Sequence, residues 1–574
     1  MISEIVRRLA AASPRPTITT FPETRMPISR TLSSLTLAAA LALSGAVLTG
    51  CSDEPAPAVA KKETAAPAVP AAEPASAGTL EYASMKDIRD INPHLYLGEM
   101  AAQAMVFEAL VENTTEGVKP KLAERWEISD DGRTYVFHLR KDVKFTDGTA
   151  FDAAAVKANV DAVLANRSRH AWLDMVNEIE GNDVVDEHTW RLRMKHAYFP
   201  TLVELGLSRP FRFISPACMK DGGTKSGVTC LAGTGPWVLQ EHKLDQYAVF
   251  ARNDAYWGEK PSIAAVRWNV IPDPQTMLMA LEKGEIDLVF GADGDQLTGD
   301  AFAALTESGK LRTALSEPVA SRAILVNAGR PVTSDLRVRE AVQYAVNRDA
   351  IVQGILHGTE AAAETLFAKN VPYCDIPLTV RGYDPKKAEA ILDAAGWVKG
   401  KSGVREKKGE PLSLRFYFNA QNAQEKTIAE AIQADLAKIG VDVRVIGEEK
   451  QAFLDRQKTG DFELQYSLSW GAPYDPQSYL SSWRIPAHGD YQAQRGLAQK
   501  HEIDATITAL MTEPDEGKRA EMVKQVLTTI TEAAVYIPIS YSRTKAVYGA
   551  RVGNVGFAVT QYEIPFERMT LETK

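Results

Sequence analysis

Bulky and polar residues alternate from Trp126 to Arg140, with Tyr135, Phe137 and Leu139 falling on one face. Entered through the turn Ser129-Asp130-Asp131-Gly132, this pattern predicts a half-buried strand. Asp152 precedes an apolar-periodic run and predicts an N-capped helix from about Ala153 to Asn166. Val338, Ala341, Val342, Ala345 and Val346 recur at helical spacing and predict a second amphipathic helix. A third runs from Ile428 to Ile439, stops at Gly440 and leads into an alternating strand, Val441 to Ile446. Strands and helices interleave in both halves, which predicts two α/β lobes, and no repeat of solenoid length is present.

A different pattern occupies the N-terminus. Leu35 to Leu48 is apolar over roughly 14 residues, short of the ~20 that a membrane-crossing helix needs. Arg30 flanks it on one side and Leu48-Thr49-Gly50-Cys51 closes it with small residues before a cysteine. The segment reads as a signal peptide over residues 1–50 and resembles the lipobox of bacterial lipoproteins, in which the cysteine, here Cys51, is lipidated. Met26 to Arg30 opens a more ordinary signal peptide than Met1 does, so translation is expected to start at Met26. Ser52 to Gly78 is rich in Ala, Pro and Glu and holds few bulky apolar residues. Residues 51–78 are therefore expected to form the lipidated cysteine and an extended tether, reaching on the order of 80 Å when stretched.

A chain of 574 residues with 45% hydrophobic content has material for more than one core. Its formal charge of -9 argues against nucleic acid as a partner. Three cysteines follow Cys51. In an oxidising compartment Cys218 and Cys230 close a short loop able to carry a disulfide if geometry permits, which leaves Cys374 as a buried or free thiol. Without CxxC spacing, a thiolate metal cluster is not expected. Neither GxSxG, HExxH nor a Cys-His signature is present, so nothing points to an enzyme.

The run from Leu122 through Trp126 to Arg140, then Asp142 to Gly148 and Phe151-Asp152-Ala153, resembles the signature region of the peptide/nickel class of ABC-importer solute-binding proteins (family 5). Gly233 to Trp237, Asn253 to Trp257, Tyr383 to Lys387 and Trp470 to Pro476 extend the resemblance over essentially all of Leu80 to Lys574. It implies a two-lobed periplasmic binding protein fold with a hinge and a ligand cleft between the lobes. The expected boundaries are 79–317 plus 543–574 for the first lobe and 318–542 for the second. It also implies a periplasmic, membrane-anchored lipoprotein, monomeric, delivering its solute to an ABC permease in the inner membrane.

Within the class, Asn92 to Tyr96, Arg169 to Trp172, Ser208 to Phe213, Gln246-Tyr247, Asn269 to Pro274 and Ile537 to Tyr541 resemble the nickel-binding branch. Arg169 and Trp172 share a face if their segment is helical, and Arg209 directly precedes Pro210 of a stiff Pro-Phe-Arg-Phe run, a setting suited to gripping a carboxylate in two places. The resemblance assigns ligand contacts to Arg169, Arg209, Trp172, Tyr96, Met100, Trp470, Tyr474 and Tyr562, and a metal contact to His488 in a glycine-containing loop. His94, His138 and His170 are read as structural. One imidazole cannot fill the four to six positions of a transition metal, so the ligand is expected to be nickel already held by a carboxylate metallophore or by histidine. Copper would bind such donors more tightly, leaving selectivity to geometry and supply. Two departures stand out. The chain is one residue shorter between Tyr96 and Met100 than the pattern, and Tyr562 replaces a smaller residue. The alternative solute is a di- or oligopeptide, for whose amino end Asp475 is the candidate carboxylate, with haem or another metal chelate behind it.

Overall fold

The computed structural model describes residues 78–291 and 296–572. The signal segment, Met26, Cys51 and the tether up to residue 77 lie outside them. The fold is α/β and is organised around two large mixed sheets and a smaller antiparallel one.

Four antiparallel strands, in the order Ala123–Ile128, Thr134–Leu139, Thr189–Met194 and Ile179–Asp186, form the smaller sheet. The alternation expected around Tyr135 is realised: Tyr135, Phe137 and Leu139 are buried while their neighbours are only half-buried, and Phe137 packs on Trp190 at 5.5 Å. Helix Ala153–Ala165 covers this sheet with Val156, Val160 and Val163 inward. Its cap is the expected one, with Asp152 Oδ1 accepting from the Ala155 N–H at 2.7 Å. The helix stops at Asn166, however, and Arg167–His170 forms a separate single turn with Trp172 beyond its end. Arg169 and Trp172 therefore do not share the face of one continuous helix.

The seven-stranded sheet draws on both ends of the chain. Thr79–Ser84 lies at its centre, parallel to Ala265–Val270 on one side and Leu288–Gly291 on the other. The late strand Lys545–Tyr548 pairs with Leu288–Gly291 and Arg312–Leu315. In the six-stranded sheet, Ala320–Val326 runs between Tyr536–Ser542 and Leu464–Leu468. Helix Leu336–Ala345 packs there through Val338, Ala341, Val342 and Ala345, while Val346 is buried in extended backbone just past the helix end. Helix Ala423–Lys438 begins five residues before Ile428 because Asn422 caps it, its side chain accepting from the Gln424 and Glu425 N–H groups. Gly440 follows with φ +81°, as the stop signal requires, and the next strand, Asp442–Glu448, pairs in parallel with Ser413–Asn419.

The chain passes between the two large sheets twice, once after Leu315 and once after Ser542. The passages are bonded to each other: Ser316 N–H donates to Thr544 O at 3.0 Å and Val319 N–H to Ser542 O at 2.9 Å. Beside them lies a buried ionic cluster. Arg322 reaches Glu360 at 2.9 Å, Lys545 Nζ stands 4.0 Å from the same carboxylate, and Ser540 and Tyr466 complete the surroundings of the guanidinium.

Cys218 and Cys230 are joined as a disulfide with their Cα atoms 4.9 Å apart, and Cys374 is buried as a free thiol. Closing a loop of 12 residues restricts the unfolded chain. Replacing both cysteines by alanine is expected to cost about 2–3 kcal/mol, read as a lower denaturation midpoint under oxidising conditions; equal midpoints would refute it.

Candidate functional site

The site is assembled by three loops and the C-terminal segment. The first loop, Asn92 to Glu99, is fixed from beneath. His94 is buried between Thr224 Oγ1 at 2.9 Å and the Arg212 carbonyl at 3.0 Å, and burial pushes its pKa down to about 4. It is thereby a neutral structural histidine. Gly98 allows the loop to press on its own start, since a Cβ there would fall 2.3 Å from Asp90 O.

Tyr96 stands above this base, and its hydroxyl is fully engaged. Trp172 Nε1–H donates to it at 2.6 Å, and it lies 2.7 Å from His170 Nδ1. Burial, reinforced by the charge of Arg169, holds His170 at about 4, so the imidazole bonded to the Tyr96 hydroxyl is neutral. Burial also lifts Tyr96 to about 12. What Tyr96 offers the cleft is its ring, over which both Arg169 and Arg209 are placed, at 4.7 and 4.8 Å. Among the described residues neither guanidinium pairs with a carboxylate. Arg209 makes only long bonds, to the carbonyls of Leu95 at 3.3 Å and Gly98 at 3.4 Å. It is half-buried, and that burial lowers its pKa. Two guanidiniums over one ring, with no carboxylate bonded to either among the described residues, form a receptor for an anion with more than one carboxylate.

Across from them is the loop Trp470 to Pro476. Gly471, at φ +78°, brings its backbone against the strand passage, where a Cβ would meet Val319 O at 2.6 Å. The Trp470 ring packs edge-on against Trp172 at 5.6 Å and faces His488 at 5.8 Å. Tyr474 is buried and stacks edge-on with Tyr562 at 6.0 Å; the Tyr562 hydroxyl donates to Trp470 O at 3.1 Å. A line of side chains thus runs from Arg209 through Tyr96, Trp172 and Trp470 to His488.

His488 immediately precedes helix Gly489–Gln494 and is half-buried, so it is tied to a helix end rather than carried on a free loop. Burial depresses its pKa against the opposing charges of Asp490 and Asp174. Among the described residues neither ring nitrogen has a hydrogen-bond partner. A neutral imidazole with an open lone pair is the form that binds a metal. Among those same residues no group of three or more His, Cys, Asp or Glu side chains is placed to hold a metal ion.

Met100 is the first residue of helix Met100–Val106 and is half-buried. Asp475 is buried, accepts from Ser469 Oγ, and burial raises its carboxyl to about 7. His138 pairs with Glu127 at 3.0 Å, away from the site.

His170, read from the sequence as structural, is the buried support of the Tyr96 hydroxyl. Sequence reasoning missed two participants. Glu563 is one: its Oε1 accepts from Ser208 Oγ at 2.6 Å and from the Arg212 guanidinium. The other is a contact between the two sides of the cleft, where Asp174 pairs with Arg484 and accepts from Ser481 Oγ. Behind Ser208 and Tyr474 lies a cavity of about 230 Å³ that Arg212 and Glu563 also line.

Comparison with known proteins follows this geometry. Residues 117–491 match the family model of bacterial extracellular solute-binding proteins, family 5 Middle. The chain is 45% identical to the nickel-binding periplasmic protein of Escherichia coli over 84% of its own length and 93% of that protein's. It is 27% identical to the dipeptide-binding protein of the same organism, over 81% and 90%. Among solved structures it resembles NikA from Brucella suis in complex with Fe(III)-EDTA, with 45% identity, a TM-score of 0.85, and coverage of 86% of this chain and all of that one.

Proposed function

Because the chain belongs to the bacterial extracellular solute-binding proteins of family 5, we propose that it is the capture component of an ABC importer and that its solute is an anionic nickel chelate. The observation that carries this reading is the pair of guanidiniums over Tyr96, without carboxylate partners, on the same line of side chains as the His488 imidazole. The arginines take the chelator's carboxylates and His488 takes an open position on the metal. Trp172, Trp470, Tyr474 and Tyr562 shape the space between, and Met100 flanks it. The NikA relative bound to a metal–EDTA complex supports a ligand of this class. The chelator is a carboxylate metallophore or free histidine, and no resident cofactor or catalytic step is involved.

The first lobe is residues 79–317 plus 543–574 and the second 318–542, meeting at the paired passages. Solute that touches both lobes shifts the population toward the closed form, by as much as it prefers that form. The chain acts as a periplasmic monomer, with Cys51 carrying a lipid and residues 52–78 the tether, and it hands the chelate to its permease. No helix among the described residues is long and apolar enough to cross a membrane.

Nickel–EDTA and nickel–histidine titrated into the protein by calorimetry, with a dipeptide as control, test the reading. Tight binding of a nickel chelate is expected, and a response to the dipeptide alone would replace it with the peptide reading. His488→Ala is expected to weaken nickel–histidine binding by about tenfold and to shift the bound metal's visible absorption. An unchanged spectrum would remove His488 from the coordination sphere. Because its pKa lies below the ordinary 6.5, proton competition for His488 should begin only below that pH.

A further inference from the structure

Arg209 is held at the centre of a short turn whose two ends meet in one carboxylate. Ser208 precedes it and Arg212 closes the turn, with Pro210 and Phe211 buried between. Both ends bond the same oxygen of Glu563, Ser208 Oγ at 2.6 Å and the Arg212 guanidinium as an ion pair. Two further Arg212 donors reach the carbonyls of Phe107 at 2.9 Å and Leu207 at 3.3 Å. Among the described residues, Arg209 itself is restrained by the two long carbonyl bonds to the Tyr96 loop and by the Tyr96 ring.

We infer that Glu563 is the positioning residue of Arg209: bonded to both ends of the turn, it fixes the geometry that aims the guanidinium. This rests on the reading of Arg209 as the carboxylate grip. Glu563 is also the neighbour of Tyr562, whose hydroxyl holds Trp470 O at 3.1 Å. Two adjacent residues of the C-terminal segment thus anchor the two opposed loops of the cleft, so the segment sets the distance between the arginine and the tryptophan.

The test is a double-mutant cycle read by calorimetry with nickel(II)–EDTA. Glu563→Ala is expected to weaken binding about tenfold, and Glu563→Gln, whose amide oxygen still accepts from Ser208 and Arg212, to recover most of that loss. In an Arg209→Lys background, Glu563→Ala should add little, because the group it positions is already gone. Melting temperatures of the ligand-free variants, measured alongside, register general loosening of the fold, which would be equal in both backgrounds. Wild-type affinity in Glu563→Ala, the same loss in both backgrounds, or no recovery in Glu563→Gln would each overturn the inference. An Arg209→Lys variant that binds nickel(II)–EDTA as well as wild type would instead overturn the underlying reading of Arg209.

Discussion

Arg209→Ala should bind a nickel–EDTA complex roughly 100- to 1,000-fold more weakly than the parent protein. Truncating one partner of a largely desolvated, hydrogen-bonded charge pair costs about 2–5 kcal/mol, and each 1.4 kcal/mol is a factor of ten. The larger part of that range applies because Arg209 is half-buried against Tyr96 and, among the described residues, pairs with no carboxylate of the protein. A bound anion would therefore be its sole carboxylate partner. Lysine should not rescue it, since an ammonium cannot reproduce a planar two-point grip. Arg169→Ala should cost less, because Arg169 is exposed and solvent screens it. Calorimetric affinities for the three variants decide the matter; a loss below threefold for Arg209→Ala would show that the anion sits elsewhere.

The second large effect is expected in stability rather than binding. Glu360→Ala should lower the free energy of unfolding by about 3–5 kcal/mol, the usual consequence of stranding a buried charge. Arg322 and Glu360 are wholly buried, and Lys545 shares the carboxylate across the gap between the two large sheets. Burial alone would raise the Glu360 pKa, but Arg322 and Lys545 outweigh it and hold the group below its ordinary 4.5. A depressed carboxylate stabilises the fold above its unfolded pKa, and the contribution is lost as pH falls through the folded value. The deficit of Glu360→Ala should accordingly be full at pH 7 and shrink in acid below about 4. Urea titrations at neutral and acid pH measure both, and a loss under 1 kcal/mol at pH 7 would mean that water or rearrangement compensates the two cations.

The local elements of this fold were readable wherever one residue's neighbours in sequence are also its neighbours in space. Asp152 and Ala155, Gly440 after its helix, and the Tyr135 alternation are of that kind. The helix end near Asn166 was readable, but the break that keeps Arg169 and Trp172 off one continuous helix was not, because Ala153 to Asn166 and the Arg167–His170 turn share a helical composition and only tertiary packing separates them. The residue types of the site were likewise visible through family resemblance, while their supports were not. Ser208 and Glu563 are 355 positions apart and Tyr96 and His170 are 74 apart. No periodicity connects such pairs; they become partners only in the folded chain, Glu563 when the C-terminal segment folds back. Arg322 was hidden for a related reason, since a lone arginine in an apolar strand gives no sign that a buried carboxylate awaits it.

The two backbone passages between the sheets have a further consequence for transport. A single strand between two bodies bends and twists in any direction, whereas two strands bonded side by side resist twisting and share one bending axis. On the proposed function, the lobes would move along one coordinate, as a door does on two pins. Whatever occupies the cleft would be converted into an angle, and a permease that tests that angle would sense whether cargo is aboard without touching the metal.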